Sequence, residues 1–255
     1  MTPKKRFGQN FLNQPAILQK MQEAILSTSP AHVLEIGPGQ GALTACLMHN
    51  VKSITAIEID KDLIAFLNKK FSDHAWNLID ADVLSVDLAA LEKRSSLNAV
   101  VGNLPYNIST PFLIKYRDEL PHIPGFFLVQ KEVAERLTAS PGTKDYGRLS
   151  VMMQRQFDMS MLFDVGPENF YPRPKVQSTF IYCAPHTRYP ELPPLFEDVV
   201  REAFCYRRKM LKKGLERYKP DFEKAGIDPA RRAETLSLEE FIRLATHAAH
   251  PDKLA

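Results

Sequence analysis

The stretch 103–106 (Asn-Leu-Pro-Tyr) carries residue types suited to holding a planar amine. The Asn103 amide and a main-chain carbonyl can accept hydrogen bonds from an amino group, and the Tyr106 ring can stack on a base. Pro105 has no N–H and a fixed φ, so it stiffens the turn and keeps the preceding carbonyl directed outward. Because four-residue matches occur by chance, the prediction of an amine-binding turn depends on its surroundings.

A glycine turn lies upstream, at residues 35–41 (Glu-Ile-Gly-Pro-Gly-Gln-Gly). Gly37, Gly39 and Gly41 have no side chains, so the backbone can approach a ligand closely, and the N-terminus of the following helix favours negative charge. A dinucleotide site more usually has the spacing G-x-G-x-x-G. The spacing G-x-G-x-G suits a cofactor without a pyrophosphate, such as S-adenosylmethionine. The alternative is a turn with a purely structural role.

Two acidic residues are predicted to end the next two strands, at the sheet edge where ligands bind in open α/β sheets. Glu58 could accept hydrogen bonds from both hydroxyls of a ribose, and Asp82 could accept one from an adenine amine. Either acid alone would more often be a helix cap or a surface charge. In this order after the glycine turn, the pair favours a nucleoside ligand.

A sulfonium methyl group beside an amine-binding turn implies methyl transfer to nitrogen. The lone pair of an aromatic amine is delocalised into the ring, which makes the amine a poor nucleophile. Hydrogen bonds to Asn103 and the Leu104 carbonyl would favour a pyramidal nitrogen whose lone pair points at the methyl, so orientation and electrostatics provide the rate gain. The product nitrogen could lose its proton to water, without a dedicated base. A base within a helix would have to be splayed out to reach this pocket.

Alternating strands and helices are predicted to position these residues. Apolar runs predict strands at residues 33–36, 53–58, 76–81, 99–102 and 125–129, and late strands at 159–165 and 178–183. Helical spacing predicts helices at 14–26, from the glycine turn to about 48, at 63–71 and near 86–91. Thr110 and Pro111 predict an N-cap and first helical position. The order predicts an α/β fold, a mostly parallel sheet covered on both faces.

A proline-rich segment separates two predicted domains. Residues 184–194 hold four prolines and no periodicity, which indicates an interdomain linker. The first domain is then residues 1–185, and residues 186–255 form the linker with a small helical domain. Within the latter, Ser237–Glu240 predicts a capping box at the start of a helix.

Composition places the chain among globular proteins, with 44% hydrophobic and 25% charged residues among its 255. Its apolar runs are too short to span a bilayer, and residues 1–6 lack the apolar core of a signal peptide. Cys46, Cys183 and Cys205 are widely separated, which predicts neither a disulfide framework nor a metal site and favours the reducing cytoplasm. His247 and His250 are expected to be solvated and not to be ligands.

Positive charge is concentrated in two segments although the net charge is only +3. Lys4, Lys5 and Arg6 open the chain, and a late segment with few acids carries Arg201, Arg207, Arg208, Lys209, Lys212, Lys213, Arg217 and Lys219. Such a run is either a solvated helix face or a surface that contacts nucleic-acid phosphates.

Taken together, these motifs resemble those of the ribosomal-RNA adenine dimethyltransferases, close to the bacterial enzymes that dimethylate two adjacent adenines near the 3′ end of small-subunit rRNA. The resemblance runs nearly end to end. It is carried by residues 5–12, 35–44, 102–111, 130–134, 146–150 and 170–178, with Phe204 and 207–209. It implies a Rossmann-like class I methyltransferase sheet with a small C-terminal helical domain.

The resemblance also implies a set of site residues. S-adenosylmethionine would contact Asn10, Leu12, Gly37, Glu58, Asp82 and Asn103. Residues 103–106 would grip the target adenine, and Phe170 would stack on it from the opposite side; the alternative for Phe170 is core packing. RNA-backbone contacts are expected from Arg148, Lys175, Arg207, Arg208 and Lys209, with solvated surface as the alternative.

The expected partner is small-subunit rRNA in the immature ribosomal subunit, bound by a monomer without metal or membrane. Because the chain begins only a few residues before Arg6, no RNA contact is expected from a longer N-terminal tail. The rival enzymes are the macrolide-resistance methylase of large-subunit rRNA, disfavoured by the full-length motifs, and a DNA adenine methyltransferase. A rival of another class is a ribosome-assembly factor that acts mainly by binding.

Overall fold

The computed structural model describes residues 3–72 and 76–250, so Met1 and Thr2 of the opening segment lie outside the described residues. The chain divides into two compact units. The first comprises residues 1–134 and 157–186, and the second comprises residues 135–156 and 187–255. No helix within the described ranges is long and apolar enough to cross a membrane.

The described part of the first unit contains nine strands and six helices, the last helix continuing to Thr138. The strands are β1 (Phe11–Leu12), β2 (His32–Ile36), β3 (Ser53–Glu58), β4 (Trp76–Asp80), β5 (Ala99–Asn103), β6 (Gly125–Gln130), β7 (Phe157–Val165), β8 (Phe170–Tyr171) and β9 (Ser178–Pro185). The helices are α1 (Pro15–Leu26), α2 (Ala42–Leu47), α3 (Lys61–Lys70), α4 (Leu88–Ser95), α5 (Ser109–Glu119) and α6 (Lys131–Thr138).

Seven of these strands form one sheet in the order β4-β3-β2-β5-β6-β9-β7. The first five are parallel, and β9 runs antiparallel to β6 and β7. The predicted α/β sheet is therefore confirmed. The order of the strands reverses between β2 and β5, and in open α/β sheets a ligand crevice lies outside the carboxyl ends at such a point. The glycine turn follows β2 and Asn103 ends β5, so this topology brings the two motifs together.

The central parallel strands are buried because helices cover both faces of such sheets, which requires nearly continuous apolar runs, whereas the edge strand β4 is only partly buried. Val100 and Val101 of β5 and Phe127 and Leu128 of β6 are all fully buried. Helix α1 contributes Leu18, Met21 and Ile25 to the core, at the spacing of one helical face.

Two local details differ from the sequence predictions. Helix α5 begins at Ser109 with Ile108 at the cap position, so Thr110 is not the N-cap and Pro111 is not the first helical residue. Proline fits at this third position because the first four N–H groups of a helix have no partner within it. A second sheet, formed by β1 and β8, was not predicted. Two-residue strands are too short to show a periodicity.

The second unit is helical, with α7 (Arg148–Gln154), α8 (Phe196–Cys205), α9 (Leu211–Gly214), α10 (Phe222–Ala225) and α11 (Leu238–Thr246). The predicted capping box is confirmed, since the Ser237 side chain accepts from Glu240 N and the Glu240 side chain accepts from Ser237 N. Residues 135–156 cluster with this unit, whereas the sequence analysis assigned them to the first domain. The division at 185/186 stays a prediction.

Candidate active site

The glycine turn between β2 and α2 has a left-handed backbone at Gly37, Gly39 and Gly41, with φ of +61°, +58° and +70°. A Cβ at Gly37 would meet nothing within 4 Å, and this residue lines a cavity. A Cβ at Gly39 would lie 3.1 Å from the Phe11 ring, and one at Gly41 would lie 2.6 Å from the Phe71 ring. Gly37 and Gly39 line the cavity, whereas Gly41 has a packing role. Contact of Gly41 with the cofactor stays a prediction.

Glu58 lies at the end of β3, with its carboxylate in the same cavity. Its Oε1 accepts hydrogen bonds from the N–H groups of Ile59 and Asp60, both at 3.0 Å, and its Oε2 accepts one from Gly39 N at 3.3 Å. Burial raises the pKa of this carboxyl, and the three backbone hydrogen bonds oppose the shift. Glu58 is thus oriented by the chain around it, and its position suits a ribose with two hydroxyl donors.

Asp82 also lines the cavity, but it does not end a strand as predicted. Strand β4 ends at Asp80, and the Asp82 carboxylate accepts a hydrogen bond from Leu84 N at 2.9 Å. An Asp side chain that bonds to the backbone two residues on forms a turn in place of a strand. The contact of Asp82 with the cofactor stays a prediction, with the residue now on the loop after the strand.

The Asn103–Tyr106 turn closes the cavity at the end of β5. Asn103 Nδ2 donates to the Asn10 carbonyl at 2.9 Å, which fixes the side chain and leaves its amide oxygen as the end that can accept from an amine. Leu104 is buried, and its N–H donates to the Leu128 carbonyl at 3.1 Å. The Tyr106 hydroxyl is 2.8 Å from Ser178 Oγ, and burial raises the pKa of this phenol.

The N-terminal segment, residues 7–12, forms a further wall. Asn10 and Leu12 are part of it, and their contact with the cofactor stays a prediction. Lys4 Nζ donates to Asp60 at 2.5 Å and pairs with Asp62 at 2.6 Å, and Gln9 Nε2 donates to the other Asp60 oxygen at 2.9 Å. The sequence analysis missed this attachment, because a pairing between residues so distant in the chain leaves no local pattern.

Phe170 lies in the core beside the cavity. It is 5% exposed, faces Leu12 across the β1–β8 pair and belongs to the same apolar cluster as Leu18 and Met21. Phe170 is not among the side chains that line the cavity formed by the described residues. This placement matches the core-packing alternative, and its stacking on the target adenine stays a prediction.

Two further polar groups beside the glycine turn were not predicted. Glu35, in β2, is 2% exposed and accepts a hydrogen bond from Thr44 Oγ1 at 2.7 Å. Burial raises the pKa of Glu35 to about 7, with the nearby Glu58 charge acting in the same direction. Lys70 Nζ donates to the carbonyls of Gln40 and Gly41 and so supports the glycine turn from outside. The helical spacing of Lys70 gave no signal of this role.

The predicted RNA-binding residues divide into exposed and internally bonded cations. Lys175 in the first unit and Arg148, Arg208 and Lys209 in the second are exposed. Arg207 Nε is 2.6 Å from Glu234, and its Nη2 donates to the Lys144 carbonyl at 2.6 Å.

The basic segment is therefore better supplied with acids than its sequence indicates, since Arg201 also pairs with Asp198 at 2.5 Å. The RNA-contact role of the exposed residues stays a prediction. For Arg207 the structure supplies an internal role.

The sequence matches a family of known proteins and has curated relatives over nearly its whole length. Residues 1–250 match the family model described as ribosomal RNA adenine dimethylase. Among curated relatives, the ribosomal RNA small subunit methyltransferase A of Pseudomonas aeruginosa is 44% identical, covering 96% of this chain and 94% of its own. The protein of that name from Hydrogenovibrio crunogenus is 43% identical, with 98% and 97% covered.

Solved structures share the fold. A dimethyladenosine transferase from Plasmodium falciparum has a TM-score of 0.78 at 23% identity, covering 92% of this chain and 95% of that one. The 23S rRNA methyltransferase ErmE has a TM-score of 0.70 at 26% identity, with 93% and 99% covered. Both support the predicted methyltransferase sheet with a helical C-terminal region.

Proposed function

The chain belongs to the ribosomal RNA adenine dimethylase family, and we propose that it dimethylates N6 of two adjacent adenosines near the 3′ end of small-subunit rRNA. The family and the predicted class of enzyme, an adenine methyltransferase acting on rRNA, are confirmed by these matches. The observation that supports the site most strongly is the junction of Asn103 with Asn10. It places an amide oxygen at the cavity that Glu58 and Gly37 also line.

S-adenosylmethionine is the methyl donor that these residues fit. Glu58 offers a buried, oriented carboxylate for the ribose hydroxyls, Gly37 opens the backbone to the cavity, and Asn10, Leu12 and Asp82 complete the wall. When bound, this cofactor supplies an electrophilic methyl on sulfonium sulfur. Transfer of such a methyl to an amine requires neither a metal nor a redox group, which supports the proposal of a metal-free site.

Asn103 orients the target amine in the proposed mechanism. In the first transfer its amide oxygen and the Leu104 carbonyl would accept the two N6 hydrogens, which favours a pyramidal nitrogen with its lone pair directed at the methyl. In the second transfer the monomethylated nitrogen has one hydrogen, which one of these two oxygens would accept. Pro105 stiffens the turn, and Tyr106 is held by Ser178 where it can stack on the adenine. Phe170 would contact the opposite face after a local rearrangement. The proton of the methylated nitrogen leaves to water.

The small subunit is favoured over the large one by the relatives and not by the fold. Those named for the small subunit are 42–44% identical over nearly the whole chain. The fold does not discriminate, since ErmE shares it at 26% identity. We propose further that the protein acts as a cytoplasmic monomer on the immature subunit. In this proposal residues 1–185 bind the cofactor, and 186–255 bind RNA through Arg208 and Lys209, with Arg148 and Lys175 contributing from the preceding part.

The test is methylation of small ribosomal subunits isolated without dimethyladenosine, with tritiated S-adenosylmethionine and mapping of the labelled nucleotides. Label at two adjacent adenosines near the 3′ end is expected. Label in large subunits offered as the alternative substrate would contradict the assignment. A cell carrying only the Asn103→Ala protein separates the binding-factor rival, because normal subunit assembly without methylation would favour a role in binding.

A further inference from the structure

The loop at residues 171–177 joins β8 to β9 and presents an aromatic ring and two cations to solvent. Tyr171 is 60% exposed, although large aromatic side chains are usually well buried. Arg173 and Lys175 follow at alternate positions and are also exposed. The loop contains no acidic residue. An exposed ring followed closely by two cations is a composition that single-stranded nucleic acids bind, by stacking and by phosphate contact.

The 171–177 loop is fixed to the active site at both ends. At its start, Tyr171 faces Phe11 in the β1–β8 pair, and Phe11 lines the cavity against Gly39. Just after its end, Ser178 bonds to the Tyr106 hydroxyl of the adenine-binding turn at 2.8 Å. These attachments place Tyr171 directly beside Phe11, a residue of the wall of the cavity that Asn103 also lines.

The alternation of side chains in β8 directs Tyr171 away from the core. Phe170 faces Leu12, and both are buried. Successive residues of a strand point to opposite faces, and directly opposed residues of an antiparallel pair share a face. Tyr171 therefore lies on the face of Phe11, the residue whose ring reaches the glycine turn.

The cations of the loop are available to a phosphate. Arg173 Nη2 lies 3.9 Å from Glu168, but both side chains are largely exposed, at 70% and 63%. Solvent screening makes such an exposed pair weak, so a phosphate can displace the carboxylate. Arg173 and Lys175 lie on the same loop as Tyr171. The RNA phosphates that flank a base stacked on Tyr171 would pass near these two cations.

We propose that Tyr171 is a stacking platform for the base next to the target adenosine, with Arg173 and Lys175 contacting the flanking phosphates. This inference rests on the proposed function. Moving an adenine into the pocket removes the stacking partner of its neighbour, at a cost of a few kcal/mol. An exposed ring beside the cavity wall would replace that partner and so stabilise the splayed-out state.

The test compares four variants in single-turnover methylation of unmethylated small subunits: Tyr171→Ala, Tyr171→Leu, Tyr171→Phe and a matched control, Met161→Ala. Met161 is an exposed apolar residue of β7, in the same unit and outside the site. Alanine and leucine should lower the rate about 5- to 140-fold, equivalent to the 1–3 kcal/mol of one base–aromatic stack. Phenylalanine and the control should keep the wild-type rate, and S-adenosylmethionine affinity should be unchanged in all four.

Two outcomes would overturn the platform while leaving the proposed function intact. One is an alanine variant as active as Met161→Ala, and the other is a leucine variant as active as wild type, which would indicate apolar contact without stacking. Wild-type protein that transfers no methyl to the subunits would contradict the proposed function, and the platform with it.

Ultraviolet crosslinking to the same subunits identifies the class of partner. A nucleotide attached to the peptide that carries Tyr171 supports the platform. A ribosomal protein attached there would replace the RNA contact with a protein contact and overturn it.

Discussion

Two regions of the molecule were identified from sequence but are built differently. One is the cavity at the ends of β2, β3 and β5, and the other is the part of the basic segment at residues 207–209. In the cavity, Glu58 is held by three backbone N–H groups and Asn103 by the Asn10 carbonyl. In the basic segment, Arg207 is fixed by Glu234, while Arg208 and Lys209 are exposed. Groups that orient a reacting atom need a fixed geometry, whereas phosphate attraction acts without one.

The largest effect is expected at Asn103, and it tests whether the cavity acts through a fixed geometry. Asn103→Ala should lower the single-turnover rate about 10²- to 10³-fold, the usual effect of removing one hydrogen bond that strengthens in the transition state. RNA binding, measured by filter retention, should change far less. Equal losses in rate and in binding would contradict a transition-state role.

Because the Glu35 carboxyl is buried beside the cavity, the free energy of unfolding should depend on pH. The Glu35 pKa of about 7 lies above the ordinary value of 4.5, so between these limits the folded state holds a proton that the unfolded state has released. Stability therefore falls as pH rises through this window, by about 3 kcal/mol in total. Glu35→Gln should flatten the denaturation free energy across it, and an unchanged slope would show that Glu35 titrates normally.

The contribution of Glu58 is tested by the affinity of the protein for S-adenosylmethionine. Glu58→Ala should weaken S-adenosylmethionine binding by about 1.5–3 kcal/mol, the range for hydrogen bonds to a charged group. Calorimetry on the folded variant measures this. The matched control is Glu23→Ala, an exposed residue of α1 whose carboxylate accepts from Gln19 and does not line the cavity. An unaltered affinity in Glu58→Ala would remove this residue from the site.

The smallest effects are expected in the basic segment, where Arg207 should behave differently from Arg208 and Lys209. Replacing Arg208 and Lys209 with Gln should flatten the salt dependence of subunit binding, by about 0.7–0.9 in log–log slope per lost phosphate contact, without altering the melting temperature. Arg207→Gln should instead lower stability by about 0–1 kcal/mol through the lost Glu234 pair. A lower melting temperature with an unchanged salt slope in the double variant would assign both residues a structural role.

Much of this architecture follows from local sequence patterns. The bounds of β3 agree with prediction to the residue, because residues 54–57 form a run of β-branched and apolar residues suited to a buried strand. The predicted positions of Glu58 and Asn103 at strand ends are confirmed, and the topology brings these ends and the glycine turn to one cavity; their roles stay predictions.

What the sequence did not predict depends on contacts between distant residues. The β1–β8 pair, the Lys4–Asp60 attachment and the bond from Tyr106 to Ser178 join segments that carry no shared pattern. The end of β4 was misplaced because the Asp82 side chain bonds to Leu84 N and forms a turn there. The start of α5 was misplaced because this helix begins at Ser109 without a side-chain bond at its N-cap, so Thr110 was a false signal. Phe170 and the raised pKa of Glu35 reflect burial by the complete fold.

The β1–β8 pair also has a consequence for the order of folding. Strand β1 is among the first parts of the chain to be synthesised, yet its partner follows almost the entire parallel sheet in sequence. Contacts between such distant segments form late, because the intervening chain must be ordered before they repay the entropy of loop closure. Two residue pairs hold this short ladder, so it should also be among the first to open. Local opening of this ladder would loosen the wall that carries Asn10 and Leu12 while the seven-stranded sheet stays folded.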